Sequence, residues 1–245
     1  MNALAVVLAR AGRKGLPGKN PRRTAGRPCI AWTIEDAACA RTVARVVVSS
    51  DDPAALDIAG SLGATPHRRD PALATDDAAV ADAARDAAER FGGEPIVILY
   101  ANVPVRPPGL IDRAVRTLVE TEADSVQSYA PVGKHHPWWT ARLDADGSPV
   151  RPWEGDVLNH GVHRRQDLPP ACIPDGGVLA VTRDSLFGPA AVGISSGTDG
   201  PHAFLGAHRR GVLTGAGEVV DIDNETDRLV AEAVLAQRAG TREAV

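Results

Sequence analysis

Short apolar runs alternate with longer amphipathic segments along most of the chain. The runs are rich in β-branched residues, which is typical of buried strands. The predicted strands are Leu4–Leu8, Val43–Ser49, Pro95–Tyr100, Ser125–Tyr129, Val178–Thr182 and Glu218–Ile222. The predicted helices are Ile30–Ala40, Pro53–Leu62, Ala78–Phe91 and Leu110–Glu122, with a last helix that begins near Asn224. This βαβ order predicts an α/β fold with a mainly parallel sheet that helices cover on both faces.

The segment from His135 to Pro174 interrupts this rhythm. It holds Trp138, Trp139 and Trp153 among several prolines, and it has little periodicity. A structureless loop of this length is unusual inside a compact domain. We therefore predict a single domain over residues 1–245 in which residues 135–174 form an arm that packs on something else, such as a second subunit.

The composition excludes several classes of protein. With 44% hydrophobic and 24% charged residues the chain can bury a substantial core, so it is not a disordered chain. No apolar run exceeds Ala3–Ala9, and the first residues lack the pattern of a secretory signal, so we expect a cytoplasmic protein without membrane spans. The scattered Cys29, Cys39 and Cys172 support neither a disulfide framework nor a zinc site. A net charge of -4 argues against a general nucleic-acid binder.

The basic residues are unevenly distributed. Only Lys14, Lys19 and Lys134 are lysines among the 27 basic residues, and two of the three lie in the glycine-rich segment that follows the first strand. The stretch from Arg10 to Arg27 contains basic side chains and no acidic one. Glycines let backbone N–H groups approach a ligand, and cations neutralise phosphate charge, so this pattern favours a phosphate-rich ligand.

The glycine-rich segment does not match the two common phosphate-binding motifs. Five residues separate Gly12 from Gly18, and Asn20 follows Lys19, so it is not a Walker A loop. It also lacks the G-x-G-x-x-G pattern of dinucleotide-binding proteins. A solvated basic turn is the alternative interpretation of the same residues.

The run ARAGRKGLPGKN over Ala9–Asn20 resembles the opening motif of the cytidylyltransferases that make CMP-activated acid sugars, the acylneuraminate and 3-deoxy-manno-octulosonate family. Further matching pieces follow in the order of that family: Val46–Asp52, Arg69–Asp76, Pro104–Arg106, His135–Pro137, Arg165–Pro169 and Asp221–Asp223. The resemblance therefore spans nearly the whole chain. It implies a Rossmann-like nucleotidyltransferase fold, similar to the nucleotide-diphospho-sugar transferases, with a protruding dimerisation arm.

The resemblance implies CTP as co-substrate, with its phosphates wrapped by the glycine-rich loop. The implied CTP-binding residues are Ala9, Arg10, Gly12, Lys14, Gly15, Lys19, Asn20 and Arg69. Arg10 and Lys19 would contact the triphosphate and, with Asp223, form the implied catalytic set. Positioned cations suit nucleotidyl transfer, because negative charge builds on the phosphoryl oxygens during the reaction. Arg69 is implied beside the cytosine and ribose, although the adjacent Arg68 leaves a solvated interpretation open.

The sequence Asp221-Ile222-Asp223 puts two carboxylates on one face of an extended segment. That arrangement suits a hard cation such as Mg²⁺ bridging nucleotide phosphates. The alternative is that Asp223 caps the last helix together with Asn224. The resemblance favours the metal, so Mg²⁺ is the expected cofactor and Asp221 and Asp223 are its expected ligands.

The acceptor side departs from the family pattern. The resemblance implies eight acceptor-binding residues: Tyr100, Asn102, Arg106, Lys134, His136, Arg165, Gln166 and Asp175. Tyr100 and Leu179 stand where sialic acid enzymes commonly have Gln and Tyr, so a bulky sugar acid is not assured and a phosphonate acceptor stays open. A sugar-phosphate nucleotidyltransferase using another NTP and an inactive nucleotide-binding regulator are further alternatives.

The resemblance also implies a homodimer. The arm would reach toward the partner's active site, with Trp138 and Trp139 at the subunit contact. An ordinary core position is the alternative for these two tryptophans.

Overall fold

A computed structural model describes residues 2–11, 23–188 and 200–243. The strands are β1 (Ala3–Ala9), β2 (Arg23–Thr24), β3 (Arg27–Pro28), β4 (Val43–Ser50), β5 (Thr65–Arg68), β6 (Ile96–Tyr100), β7 (Ser125–Pro131), β8 (Ala141–Arg142), β9 (Arg151–Pro152), β10 (Cys172–Val181) and β11 (Arg209–Leu213). The α-helices are α1 (Cys29–Cys39), α2 (Pro53–Ser61), α3 (Val80–Phe91), α4 (Leu110–Glu120), α5 (Arg183–Phe187) and α6 (Glu225–Glu243).

Within these ranges, seven strands form one sheet in the order β11-β7-β10-β6-β1-β4-β5. Every neighbouring pair is parallel except the two that involve β10, which runs antiparallel to both β6 and β7. The predicted α/β fold with a mainly parallel sheet is confirmed.

Helices cover both faces of the sheet, so β1 is buried on both sides and its sequence is apolar throughout. Ala5 and Val7 pack into the core under α1 and α4, whereas Leu4 and Val6 pack into the core under α3. A strand that is buried on both faces has no position at which a polar side chain meets water. The third apolar cluster joins α6 to the start of α1 and to the segment from Val220 to Ile222.

The predicted elements are confirmed with one exception. The helices begin and end within two residues of their predicted bounds, and α6 begins directly after Asn224. The predicted strand Glu218–Ile222 is wrong, because this segment makes only an isolated bridge between Val105 and Val220. The edge strand is instead β11, in which Val212 is the only buried residue. Because β11 begins with Arg209 and Arg210, it does not form the apolar run by which the other strands were predicted. The short edge strand β5 was not predicted.

The arm leaves the sheet after β7 and returns at β10, where Pro131 pairs with Cys172. Trp138 stacks on His160 with ring centroids 4.6 Å apart, and Trp139 donates its indole N–H to the carbonyl of Val162 at 2.9 Å. These contacts lie within the arm itself. No helix in the described ranges combines the length and apolar character of a membrane span.

Candidate active site

The sheet has a topological switch point at β1. The chain continues from β1 to β4 and β5 on one side of it, and later passes to β6 on the other side. Ligands of open α/β sheets bind outside the carboxyl ends of the strands at such a point. A cleft of about 190 Å³ lies there. Its lining residues are Leu8, Arg10, Arg69, Leu73, Thr75, Asp76, Ala78, Ala79, Val80, Ala83, Tyr100 and Asn102.

Arg10 follows β1 directly and supplies one cation to this cleft. Its Nη1 donates to the carbonyl oxygen of Thr75 at 2.9 Å and lies 2.8 Å from Oδ1 of Asp76. The segment that carries Thr75 and Asp76 follows a short 3₁₀ helix, Pro71–Leu73, whose first turn is capped by Asp70. Arg10 is therefore oriented by the same segment that forms one wall of the cleft.

Arg69 supplies a second, buried cation. Its Nε donates to Oγ of Ser49 at 3.0 Å and its Nη2 donates to the carbonyl of Ser49 at 2.6 Å, so it fixes the end of β5 to β4. Burial lowers the pKa of Arg69, and the nearby carboxylates of Asp51 and Asp86 oppose that shift. Arg68, by contrast, is exposed. The structure therefore brings Arg69, and not its neighbour, into the cleft with Arg10.

Asn102 connects the cleft to the pair of aspartates. It is 2% exposed, and its Nδ2 donates both to Oδ1 of Asp221 and, at 3.3 Å, to the carbonyl of Ile222. The backbone N–H of Ile222 donates in return to the carbonyl of Asn102 at 2.9 Å. Ile222 is buried, so the alternation of an extended segment puts Asp221 and Asp223 on the opposite side.

The cap of α6 is the side chain of Asn224. Its Oδ1 accepts from the N–H of Asp227 at 3.1 Å, and Oδ2 of Asp227 accepts from the N–H groups of Asp223 and Asn224. This is the reciprocal pattern of a capping box. The helix therefore does not need the carboxylate of Asp223 as its cap. Over the described ranges, no group of three or more His, Cys, Asp or Glu side chains is arranged to hold a metal ion.

Arg106 is buried behind the cleft instead of lining it. Its Nε donates to the carbonyl of Gly177 at 2.6 Å, and its Nη2 donates to the carbonyl of Tyr100 at 3.2 Å. Its Nη1 donates to Oγ1 of Thr33 at 3.0 Å and lies 3.7 Å from Oδ2 of Asp36. Burial lowers the pKa of Arg106, and Asp36 opposes that shift. This geometry favours a structural role over the predicted contact with the acceptor.

Asp175 is held by three donors. Its Oδ1 accepts from Oγ of Ser128 and from the N–H of Gly177, and its Oδ2 accepts from Oγ1 of Thr214. The turn that it begins packs against the cleft, because a Cβ on Gly176 would lie 3.8 Å from Oδ2 of Asp221 and 4.0 Å from Cδ2 of Tyr100.

The other predicted acceptor residues lie at the base of the arm. His136 and Arg165 line a second cavity, of about 390 Å³, and Thr214 connects it to Asp175. His136 is buried, its Nε2 lies 3.1 Å from the carbonyl of Pro169, and its Nδ1 accepts from the N–H of Trp138. Lys134 and Gln166 are exposed nearby in the chain. The two cavities thus hold four of the eight predicted acceptor residues, Tyr100 and Asn102 in the cleft and His136 and Arg165 in the second cavity.

Several predicted residues fall outside the described ranges, namely Gly12, Lys14, Gly15, Lys19 and Asn20. Sequence reasoning gave no role to Thr75, Asp76 or Asp51, although all three lie within or next to motifs that carry the resemblance. Asp76 could have been predicted from the sequence, because it ends the motif that begins with Arg69.

The chain matches the cytidylyltransferase family over residues 4–143. It is 36% identical over 158 residues to a CMP-N,N'-diacetyllegionaminic acid synthase of Legionella pneumophila, an alignment that covers 62% of this chain and 67% of the relative. It is 28% identical over 191 residues to an N-acylneuraminate cytidylyltransferase of Streptococcus agalactiae, covering 76% of this chain but only 45% of that protein.

The fold resembles that of a CMP:2-keto-3-deoxy-manno-octonic acid synthetase solved in complex with CTP. The TM-score is 0.71 at 17% identity, and the alignment covers 97% of this chain and all of that one. The expected nucleotidyltransferase fold is thereby confirmed. Sequence and fold together support the resemblance, and the chain belongs to the cytidylyltransferase family.

Proposed function

We propose that the chain transfers CMP from CTP to an oxygen of an acidic sugar and releases pyrophosphate. The observation that carries this proposal is the convergence of Arg10, Arg69 and Asn102 on one cleft at the carboxyl ends of the strands, in a chain of the cytidylyltransferase family. The relatives described above are named for legionaminic and neuraminic acids, which favours a sugar acid over a phosphonate.

The cleft is the proposed site of the nucleotide base. Ala78, Ala79 and Ala83 contribute small side chains to one wall, which leaves room for a flat ring. Arg10 lines this cleft and directly precedes the glycine-rich segment in the chain, so we place the phosphates on the side of the base where Arg10 lies. Lys14, Gly15, Lys19 and Asn20 remain the predicted phosphate-binding residues of that loop.

Asp221 and Asp223 are the proposed ligands of Mg²⁺. The donor set fits this ion, because carboxylate oxygens are the protein ligands that Mg²⁺ prefers and substrate phosphates complete its coordination. Asn102 orients Asp221 through a direct hydrogen bond, as neighbours of metal ligands commonly do. When bound, the ion would neutralise charge on the phosphate oxygens.

The reaction itself needs positioning and charge more than covalent chemistry from the protein. An acceptor oxygen attacks the α-phosphorus, the bond to the bridging oxygen breaks, and pyrophosphate leaves with the electron pair. Arg10 stabilises the negative charge that develops on the phosphates. A sugar hydroxyl must lose its proton to a base, whereas an ionised phosphonate needs none. The pH dependence of turnover therefore distinguishes the two kinds of acceptor.

A homodimer formed through the arm is part of the proposal. Large apolar side chains are exposed on the arm, namely Leu143, Val150, Trp153, Val157 and Leu158. Ile173 and Leu213 are exposed where the arm joins the sheet. Exposed apolar surface commonly marks a protein interface, and a second copy is the partner that the resemblance implies. The cytoplasmic location and the lack of a nucleic-acid partner stay predictions from the sequence.

The test is pyrophosphate release from each of the four NTPs with a panel of acids: sialic, legionaminic and ketodeoxyoctulosonic acids, phosphonoformate and 2-aminoethylphosphonate. We expect turnover with CTP and one of the sugar acids. Turnover with every NTP alike would contradict a cytidylyltransferase. Turnover with a phosphonate alone would contradict the sugar acid, and CTP binding without turnover of any acid would favour the regulator.

A further inference from the structure

The parallel pairing of β1 with β4 brings the residues that follow these two strands together. Ala9 pairs with Ser50 at the end of the ladder, so Arg10 and Ala11 leave the sheet beside Asp51. Oδ1 of Asp51 accepts a hydrogen bond from the backbone N–H of Ala11 at 2.8 Å. Ala11 immediately precedes Gly12 and the rest of the glycine-rich loop. The carboxylate that follows β4 therefore holds the peptide group of Ala11, the residue directly before the glycine-rich segment.

The neighbouring carboxylate, Asp52, has a different partner. Its Oδ1 accepts from the N–H of Ala54 at 2.9 Å, which makes it the N-cap of α2. The backbone N–H of Asp52 donates to Oγ of Ser50 at 2.9 Å and fixes the turn between β4 and the helix. The two adjacent aspartates thus hold two separate segments, the backbone at Ala11 and the N-terminus of α2.

The surroundings of Asp51 keep it in position. Arg69 is anchored on Ser49 through both its Nε and its Nη2, two residues before Asp51 in the chain. The backbone N–H of Arg69 also donates to the carbonyl of Ser50 at 2.9 Å. The opposite charges of Asp51 and Arg69 attract each other. Asp51 is thus attached to the part of the sheet that lines the proposed base cleft.

We propose that Asp51 is a positioning residue that holds the backbone at Ala11, and with it the adjacent Arg10, at the base cleft, so that Arg10 meets the phosphates of the nucleotide correctly. This inference rests on the proposed function. Asp51 acts on the ligand through Ala11, and the hydrogen bond that does so needs an acceptor oxygen but not a full charge. Its loss weakens the binding of nucleotides that carry a triphosphate and leaves the binding of the monophosphate nearly unchanged.

The experiment compares Asp51→Ala, Asp51→Asn and the matched control Asp52→Ala by calorimetric titration with CTP and with CMP. For Asp51→Ala we expect the Kd for CTP to rise about tenfold, the effect of losing one charge-assisted hydrogen bond, and the Kd for CMP to change less than about twofold. Asp51→Asn retains an acceptor oxygen, so it should recover most of the affinity for CTP. Asp52→Ala should lower Tm through the lost cap and leave the ratio of the two Kd values unchanged.

A second measurement does not depend on nucleotide binding. Amide hydrogen exchange of a peptide that contains Ala11 should be faster in Asp51→Ala than in the parent protein, and normal in Asp51→Asn. An unchanged ratio of CTP to CMP affinity in Asp51→Ala would overturn the proposal, as would an Asp51→Asn variant no better than the alanine variant. A parent protein that binds no CTP would overturn the proposed function instead, while the exchange data would still report on the contact.

Discussion

The side-chain amide of Asn102 donates a hydrogen bond to Oδ1 of Asp221, although 119 positions separate the two residues in the chain. Asn102 follows β6, and Asp221 lies shortly before α6. The same amide also donates to the carbonyl of Ile222, so Asn102 fixes both the backbone and the carboxylate of this segment. The orientation of the proposed metal ligand therefore depends on a neutral donor from the central sheet.

Replacing Asn102 by Ala should reduce turnover by about 10–100-fold, the range found when a group that orients a metal ligand is removed. Asn102→Asp should be at least as damaging, because it puts a second carboxylate against Asp221. The measurement is turnover as a function of Mg²⁺ concentration, and both variants should need more Mg²⁺. Asn2→Ala, at an exposed position, is the control. An unaltered Mg²⁺ dependence in Asn102→Ala would contradict the assignment of Asp221.

Replacing Arg10 by Ala should raise the Kd for CTP by about tenfold or more, because a charge-assisted contact with the phosphates is lost. Its ion pair with Asp76 is partly exposed, with side-chain exposures of 23% and 45%, so Tm should change little. The matched control is Arg68→Ala, which removes an exposed arginine beside Arg69. Equal losses of CTP affinity in the two variants would indicate a general effect of charge and no specific contact.

Asp112 should make stability depend on pH. Burial acts to raise its pKa, but hydrogen bonds from the N–H and Oγ1 of Thr42 and from the N–H of Arg41 outweigh burial and hold the pKa below its ordinary value. Its contribution is therefore present above the unfolded pKa, about 3.9, and is lost as the pH falls through the lower folded pKa.

Asp112→Asn tests this dependence by urea unfolding at several pH values. At pH 7 the variant should be less stable by about 1–3 kcal/mol, the usual cost of weakening hydrogen bonds to a buried charged group. The difference should narrow as the pH falls below about 3.9 and through the lower folded pKa, because the folded parent protein takes up a proton on Asp112 at the lower end of that range. Asp57→Asn, exposed on α2, should show no such trend. A difference that stays constant with pH would contradict the lowered pKa.

Gly176→Ala and Gly147→Ala form a matched pair. The φ angles are 75° and 82°, so each alanine should cost about 1–2 kcal/mol of stability. A Cβ on Gly147 meets nothing within 4 Å, whereas a Cβ on Gly176 would contact Asp221 and Tyr100. The strain of a positive φ in Gly176→Ala would shift a turn that lies beside Asp221 and Tyr100, so only this variant should lower kcat as well as Tm. Equal kcat values for the two variants would show that the turn at Gly176 does not affect the active site.

The proposed dimer can be tested by introducing negative charges at exposed apolar positions of the arm. Leu143 and Val157 are 59% and 60% exposed. Leu143→Glu combined with Val157→Glu should shift the protein from dimer to monomer in sedimentation velocity, because buried unpaired carboxylates oppose association. Val119→Glu, at a position 47% exposed on α4, is the control. A parent protein that sediments as a monomer would contradict the dimer directly.

The central strands were predictable because burial on both faces leaves β1 and β6 almost entirely apolar and gives β4 its run of three valines, Val46–Val48. The edge strand β11 was not, since only Val212 of its five residues is buried and its pairing with β7 does not require apolar side chains. An apolar pattern thus reports how much of a strand is buried, and most of the side chains of this edge strand are exposed.

The site shows a similar division. The resemblance pointed to Arg10, Asn102 and Asp221, but only the fold brings Asn102 and Asp221 into contact. Sequence alone could not distinguish Arg106, which is buried against backbone carbonyls, from Arg69, which lines the cleft, because both are arginines in motifs that carry the resemblance. Burial and the identity of the acceptor atoms distinguish the two, and both are properties of the folded protein.

The pairing of Pro131 with Cys172 has a consequence for how this protein can diversify. The chain departs and returns at adjacent positions of neighbouring antiparallel strands, and the N–H of Val132 donates to the carbonyl of Ala171 just beyond them. Everything between these positions can be lengthened, shortened or exchanged without a change of register in the sheet. A change in the arm would therefore alter the second cavity, which His136 and Arg165 line, and leave unchanged the sheet that carries the nucleotide cleft.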